Sequence, residues 1–209
     1  MGNNNTRLNP KPRIESLSDL IFGLALSLSA FSLLSSPPTQ PTQIAADILS
    51  FTFSFLILIF VWIRYTSIMS VLPIQNATTR FLNIAMLFSV SLEPYLFYLV
   101  GLYDQVSENL VVEYASLLYA VNMAGLICIL AFFTNEVAKE EKQLISPELI
   151  EPFKKTRNIM LASAIFFLIT MAPQLWTLRI FGLPIRFLLW LIPLFVFYAA
   201  RLPDKGTNQ

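Results

Sequence analysis

Apolar residues run along this chain in long blocks separated by short polar or proline-rich breaks. Six of these blocks are long enough to cross a hydrocarbon core of about 30 Å, which takes about 20 helical residues. They lie near residues 16–36, 45–70, 81–102, 111–134, 157–180 and 183–201. Only Phe181, Gly182 and Leu183 separate the last two, and Pro173, Pro184 and Pro193 interrupt their pattern, so Gly182-Leu183-Pro184 reads as a tight turn between antiparallel helices. Residues 1–12 are polar and read as a mobile tail, and 203–209 as a C-terminal tail. Residues 13–202 form one transmembrane domain. The pattern predicts an all-α membrane protein with six transmembrane helices per subunit.

The breaks have distinct characters. Residues 36–43 carry three prolines and form a short rigid outer loop. Residues 135–156 are charged and mixed in sign, and Ser146-Pro147-Glu148 can start a helix, with Ser at the cap and Pro in the first turn. The first apolar run is too long for a cleavable signal and lacks a small-residue cleavage site. No internal repeat is evident, which counts against an inverted-repeat transporter.

Composition agrees with the pattern. Charged residues make up 13% of the chain, against about 25% in ordinary soluble domains, and mean hydropathy is +0.64. Charge sidedness gives the orientation. Of the 14 Lys and Arg residues, only Arg179 and Arg186 fall outside the tails and the connections between spans two and three and between four and five. Both termini are therefore expected on the cytoplasmic side. Cys128 is the only cysteine, so no intrachain disulfide forms. Asn76-Ala-Thr78 matches a glycosylation acceptor but falls on the cytoplasmic side of this topology.

Several chemistries are missing. Without a histidine, the chain offers no His-based triad and few of the usual zinc or di-iron sites. With six glycines and no Walker sequence, nothing cradles a nucleotide phosphate, and no cofactor or nucleic acid is implied. The carbonyl filter loop and Arg-repeat voltage sensor of common potassium channels are absent as well. Nothing marks an enzyme.

The candidate chemistry gathers at the first span. Arg13, Ser18 and Asp19 stand at its mouth, where charge is costly unless the fold uses it. The plainer reading is an interfacial Arg beside a Ser-capped helix start with a dipole-matched acid. Within the span, Leu24, Ser27, Leu28 and Phe31 share one helical face. Ser18, Ala25, Ser29, Ser32 and Ser36 share a small-residue face suited to close approach of a neighbouring helix. Asp19 points away from the Leu24 face, towards its own subunit. Glu93, followed by Pro94, lies mid-span in the third run and is either a proton or gating site or a structural carboxyl beside carbonyls freed by the proline. Tyr119 and Asn122 read as interhelical hydrogen-bond partners, and Trp176 and Trp190 as packing or interface aromatics.

Taken in order, Arg13-x-x-x-Leu17-Ser18-Asp19, then Trp62 and Arg64 ending span two, Arg80-Phe-Leu82-Asn83 opening span three, Pro94, and Tyr119-Ala-Val-Asn122 resemble the transmembrane protein 175 family. These are potassium channels of endosomes and lysosomes with prokaryotic relatives. The resemblance implies a homotetramer in a prokaryotic plasma membrane, with four copies of the first helix lining a pore for potassium or other monovalent cations. It implies a constriction at Leu24, Ser27 and Phe31, with Leu28 beside them, and a brace of Arg13, Ser18, Asp19, Trp62 and Arg64 behind it. The chain departs from the family in having Leu17 for Phe, Arg64 where His is common, Leu24 and Ser27 where Ile and Thr are frequent, and a bulky Phe31. A potassium-preferring leak channel is the leading expectation. A proton-coupled carrier using Glu93 and a non-conducting scaffold are the alternatives.

Overall fold

The computed structural model describes residues 11–31, 33, 40–72, 77–101, 110–180 and 183–199. The outer tail residues, residues 36–39 of the 36–43 loop, Asn76, Ser32, and the side chain of Arg13 lie outside the described residues.

Four long helices come first: α1 (Lys11–Phe31), α2 (Pro41–Met69), α3 (Ala77–Gly101) and α4 (Leu110–Val137). Each contains a stretch apolar and long enough to cross a membrane: Ile14–Phe31, Gln43–Met69, Ala77–Gly101 and Leu110–Val137. α1 opens within the stretch assigned to the tail, so Lys11 and Pro12 belong to the helix. α2 starts at Pro41, where a missing N–H costs nothing, and Gln43 Oε1 reaches back to the Gln40 N–H (3.2 Å). α3 continues through Pro94 without ending.

After α4 a 3-10 turn (Glu140–Lys142) leads to α5 (Pro147–Ile169). Pro147 stands at the first position of α5 with Ser146 before it, but the Ser146 hydroxyl makes no cap bond.

The last third departs from the expected pair of helices. The fifth apolar run stops being helical at Ile169, not near 180. Then come α6 (Gln174–Thr177), β1 (Arg179–Ile180) paired antiparallel with β2 (Leu183–Pro184), α7 (Ile185–Leu189) and α8 (Leu191–Ala199). Two short strands, not two long helices, thus flank residues 181–182, which lie outside the described residues. Two prolines account for the breaks: a proline ring collides with the carbonyl four residues before it. α5 ends at Ile169, four residues before Pro173, and α7 ends at Leu189, four before Pro193.

The helices run antiparallel to their chain neighbours, as the pairings Ser18–Tyr65, Tyr65–Asn83, Ser89–Asn122 and Asn135–Arg157 require. α4 is the most enclosed helix, burying Tyr119, Met123, Leu126, Leu130 and Phe133. α1 lies at the edge of the bundle, packed on α2 and α3 along one face.

Candidate functional site

The two faces of α1 have opposite surroundings. Ser18, Phe22, Ala25 and Ser29 recur at four- and three-residue steps and are buried against α2 and α3. Leu17, Leu20, Leu24, Ser27, Leu28 and Phe31 form the opposing face, exposed within the subunit, with Leu24 58% and Leu28 46% accessible. Ser27 sits in this apolar stripe with its hydroxyl donating to the Gly23 carbonyl of its own helix (2.9 Å). The Ser27 proton is thereby turned back on the backbone, leaving oxygen lone pairs for the open face.

The buried face of α1 is tied to its neighbours by two polar rungs. In the first, the Tyr65 hydroxyl lies 2.7 Å from Ser18 Oγ and donates to Asn83 Oδ1 (2.8 Å). Ser18 also reaches the Ile14 carbonyl (2.8 Å), so its proton is shared between that carbonyl and Tyr65. In the second rung, Ser29 Oγ lies 3.1 Å from Ser54 Oγ, and Ser54 donates to both oxygens of Glu93, each at 3.1 Å. Each rung joins α1 to α2 and α2 to α3. Both are separated by eleven residues on α1 and on α2, three turns or about 16 Å at 1.5 Å per residue. Between them pack Phe22, Ala25, Leu58, Val61, Met86 and Val90, with the Phe22 and Tyr65 rings 5.7 Å apart.

Beside the first rung, Trp62 Nε1 donates to Asp19 Oδ1 at 3.0 Å. Arg64, two residues on, is buried and engaged. Of the residues singled out at the mouth of span one, the structure therefore brings Ser18, Asp19 and Trp62 together in one α1–α2 contact. Sequence reading missed Tyr65 as the centre of that contact, and Ser54 as the link to Glu93. Periodicity does put Ser54, Leu58, Val61 and Tyr65 on one stripe of α2, but which residues of α1 and α3 that stripe meets depends on the register between helices.

Glu93 is fully buried, and among the described residues no ion pair reaches it. Near it, Asn122 Nδ2 donates to the Ser89 carbonyl (3.0 Å), close to the backbone loosened by Pro94. Tyr119 is enclosed, within electrostatic reach of Glu93, and its hydroxyl has no hydrogen-bond partner among the described residues. Asn122 is thus the interhelical partner expected of it, and Tyr119 acts as a packing aromatic, 4.7 Å from the Trp190 ring centre.

A second polar centre lies in the other half of the bundle, at a residue that sequence reading used only to count charge. Arg186 is fully buried, and its guanidinium meets the frayed end of α5: Nε donates to the Thr170 carbonyl (2.7 Å), and Nη2 to those of Met171 (3.1 Å) and Ala172 (3.3 Å). Nη1 donates to Ser116 Oγ on α4 (2.7 Å), and Trp176 covers the guanidinium 5.4 Å away. The cation thereby occupies the negative end of a helix dipole and satisfies carbonyls that the proline break leaves open.

A multi-pass helical bundle of this kind, with an edge helix pinned by polar rungs on one face and left apolar on the other, is an integral membrane protein. Its first three helices carry the sequence pattern of a known channel family: residues 13–94 match the family described as endosomal/lysosomal potassium channel TMEM175. The fold agrees over nearly the whole chain. A crystal structure of a variant of the potassium channel MtTMEM175 superposes with a TM-score of 0.60 at 17% identity, covering 95% of this chain and 97% of that one. A lysosomal potassium-selective channel TMEM175 homolog from Chamaesiphon minutus superposes with a TM-score of 0.60 at 13% identity, covering 91% and 98%. No curated protein matches the chain. The family and these structural neighbours are ion channels, not enzymes.

Proposed function

We propose that this chain assembles as a homotetrameric, potassium-preferring cation leak channel in a prokaryotic plasma membrane, with six spans per subunit, both termini cytoplasmic and the exposed face of α1 lining the pore. One observation carries the reading. In a segment matched to a potassium-channel family, α1 is pinned from behind by two polar rungs while an apolar stripe containing Leu24, Ser27, Leu28 and Phe31 is left open. Four such stripes around an axis would make a narrow hydrophobic ring with a layer of serine oxygens. A ring of this kind admits an ion only when the pore wets, and discriminates by how readily the ion exchanges its hydration shell. The Trp62–Asp19 contact and Arg64 act as a brace holding the cytoplasmic end of α1, and Arg13 is assigned to the same brace.

The test is potassium flux in proteoliposomes of purified protein, with valinomycin as the control for total trapped potassium. Flux should follow the electrochemical gradient without saturating, and Leu24→Ala should raise it several-fold by widening the ring. Saturable flux coupled to a proton gradient would favour a carrier with the buried Glu93 carboxyl as its titrating group. No flux from folded protein would leave a scaffold.

A further inference from the structure

We infer that Glu93 is a positioning residue for the pore helix: its protonation state sets how firmly α1 is held against its own subunit, through Ser54 and Ser29, and thereby makes conduction pH-dependent. This inference deepens the channel reading and rests on it.

The geometry supplies the link. Ser54 stands between Glu93 and α1, 3.1 Å from both carboxyl oxygens and 3.1 Å from Ser29 Oγ. A serine hydroxyl has a single proton. When Glu93 is a carboxylate it can only accept, so Ser54 gives its proton to Glu93, and Ser54 in turn accepts from Ser29. The chain then runs from Ser29 through Ser54 to Glu93, ending on a charge. When Glu93 takes up a proton, the carboxyl O–H can donate to Ser54, and the Ser54 proton is displaced towards Ser29 or the carbonyl of its own helix. Ser29 no longer needs to donate to Ser54, and α1 loses the charge-assisted end of its tether. Hydrogen bonds with one ionised partner are roughly twice as strong as neutral ones. Ionised Glu93 therefore draws α1 back into the subunit, away from the stripe it presents at Leu24 and Leu28, while neutral Glu93 lets it relax towards the axis.

The surroundings leave Glu93 as the group that responds. α1 brings Ser29 to this level and no ionisable side chain; its acids, Glu15 and Asp19, lie at the other end, with Asp19 on Trp62. α2 brings Ser54, and Asp47 lies two turns away on an exposed position. α4 brings Tyr119, whose hydroxyl has no hydrogen-bond partner among the described residues, and Asn122, which is held by the Ser89 carbonyl; Glu113 lies near the other end of α4. Past Tyr119 and Trp190 these contacts lead to the cation Arg186, whose donors meet Thr170, Met171, Ala172 and Ser116. Among the described residues, Tyr119 is thus a further donor that an ionised Glu93 could recruit.

The experiment compares the full-length protein with Glu93→Gln and Ser54→Ala in proteoliposomes, using potassium flux scanned on both sides of neutral pH and infrared absorption of protonated carboxyls on the same samples. Flux in the unmodified channel should rise with pH by on the order of tenfold, the factor that about 1.4 kcal/mol of extra tether strength implies. Glu93→Gln should be low and flat with pH, with one carboxyl band missing. Ser54→Ala should also be flat but should keep the titrating carboxyl band, because the group remains and only its connection to α1 is cut. A pH profile unchanged in either variant would overturn the proposal, and so would a carboxyl signal that does not titrate or does not depend on Glu93. Absence of flux at every pH, with the band titrating normally, would overturn the channel reading on which the proposal rests.

Discussion

The two rungs that hold α1 are built to the same plan and differ in one group. Both link a serine of α1 to a hydroxyl of α2 and then to a polar side chain of α3, three turns apart along antiparallel helices. The first ends in Asn83, an amide, so every member can give and take a hydrogen bond and its strength does not depend on pH. The second ends in Glu93, buried with no ion pair among the described residues. An apolar bundle tolerates the amide rung at little cost, since interhelical polar pairs in membranes are typically worth only about 0.6 to 2 kcal/mol. The carboxyl rung is a different object: stable while its donor is present, and costly once an ionised oxygen loses that donor. One rung is a neutral fastening; the other ends in a group that can change its charge.

The largest effect should come from cutting the second rung at its middle. Ser54→Ala removes the only donor that reaches Glu93 among the described residues. Thermal unfolding in detergent should show a loss of about 3 kcal/mol at alkaline pH, where the bare carboxylate must be carried in the core. The loss should shrink to about 1 kcal/mol at acid pH, because a protonated carboxyl needs no donor and can satisfy itself on a nearby carbonyl. A loss that is the same at both ends of the range would mean that Glu93 stays in one protonation state, and the contrast between the rungs would vanish.

The equivalent cut in the first rung should be smaller and flat. Tyr65→Phe leaves Asn83 Oδ1 without its donor, but Ser18 keeps the Ile14 carbonyl as an alternative. About 1 to 2 kcal/mol should be lost, with no pH dependence below the range where tyrosines ionise. A pH-dependent loss here would show that the polar centre near Trp62 and Arg64 titrates with it, and that the first rung is not the neutral fastening described.

How far this could be read from the sequence depends on whether a residue's partner lies on its own helix or on another. The four long apolar helices are legible because hydrocarbon thickness fixes their length, and the channel motif is legible because Ser18, Asp19 and Trp62 are unusual at membrane positions. The two faces of α1 follow from periodicity within one helix. The Ser29–Ser54 and Ser54–Glu93 contacts are not visible that way, since they depend on the register between helices, which a serine in an apolar run does not announce. The last third failed for a related reason. Hydropathy alone extends the fifth run to about residue 180, whereas the helix stops where the Pro173 ring would strike the Ile169 carbonyl. Arg186, counted in the sequence as an outer-side charge, is instead buried as the cap for the carbonyls that this break exposes.

The smallest effect belongs to the contact that first drew attention. Trp62 Nε1 and Asp19 Oδ1 are 3.0 Å apart, but Asp19 is exposed and Trp62 half-buried, so water or a lipid headgroup can replace either partner. Asp19→Ala should cost about 0.5 kcal/mol of unfolding stability, near the lower end for a hydrogen bond whose partner can find another. If the contact serves the pore and not the fold, conduction should move more than stability does. A change in flux of several-fold in Asp19→Ala, with the unfolding temperature nearly unchanged, would place the brace in the gating path. Equal and small effects on both would make Asp19 an ordinary exposed acid on α1, more than two turns in from Lys11, and leave the two rungs as its polar anchorage.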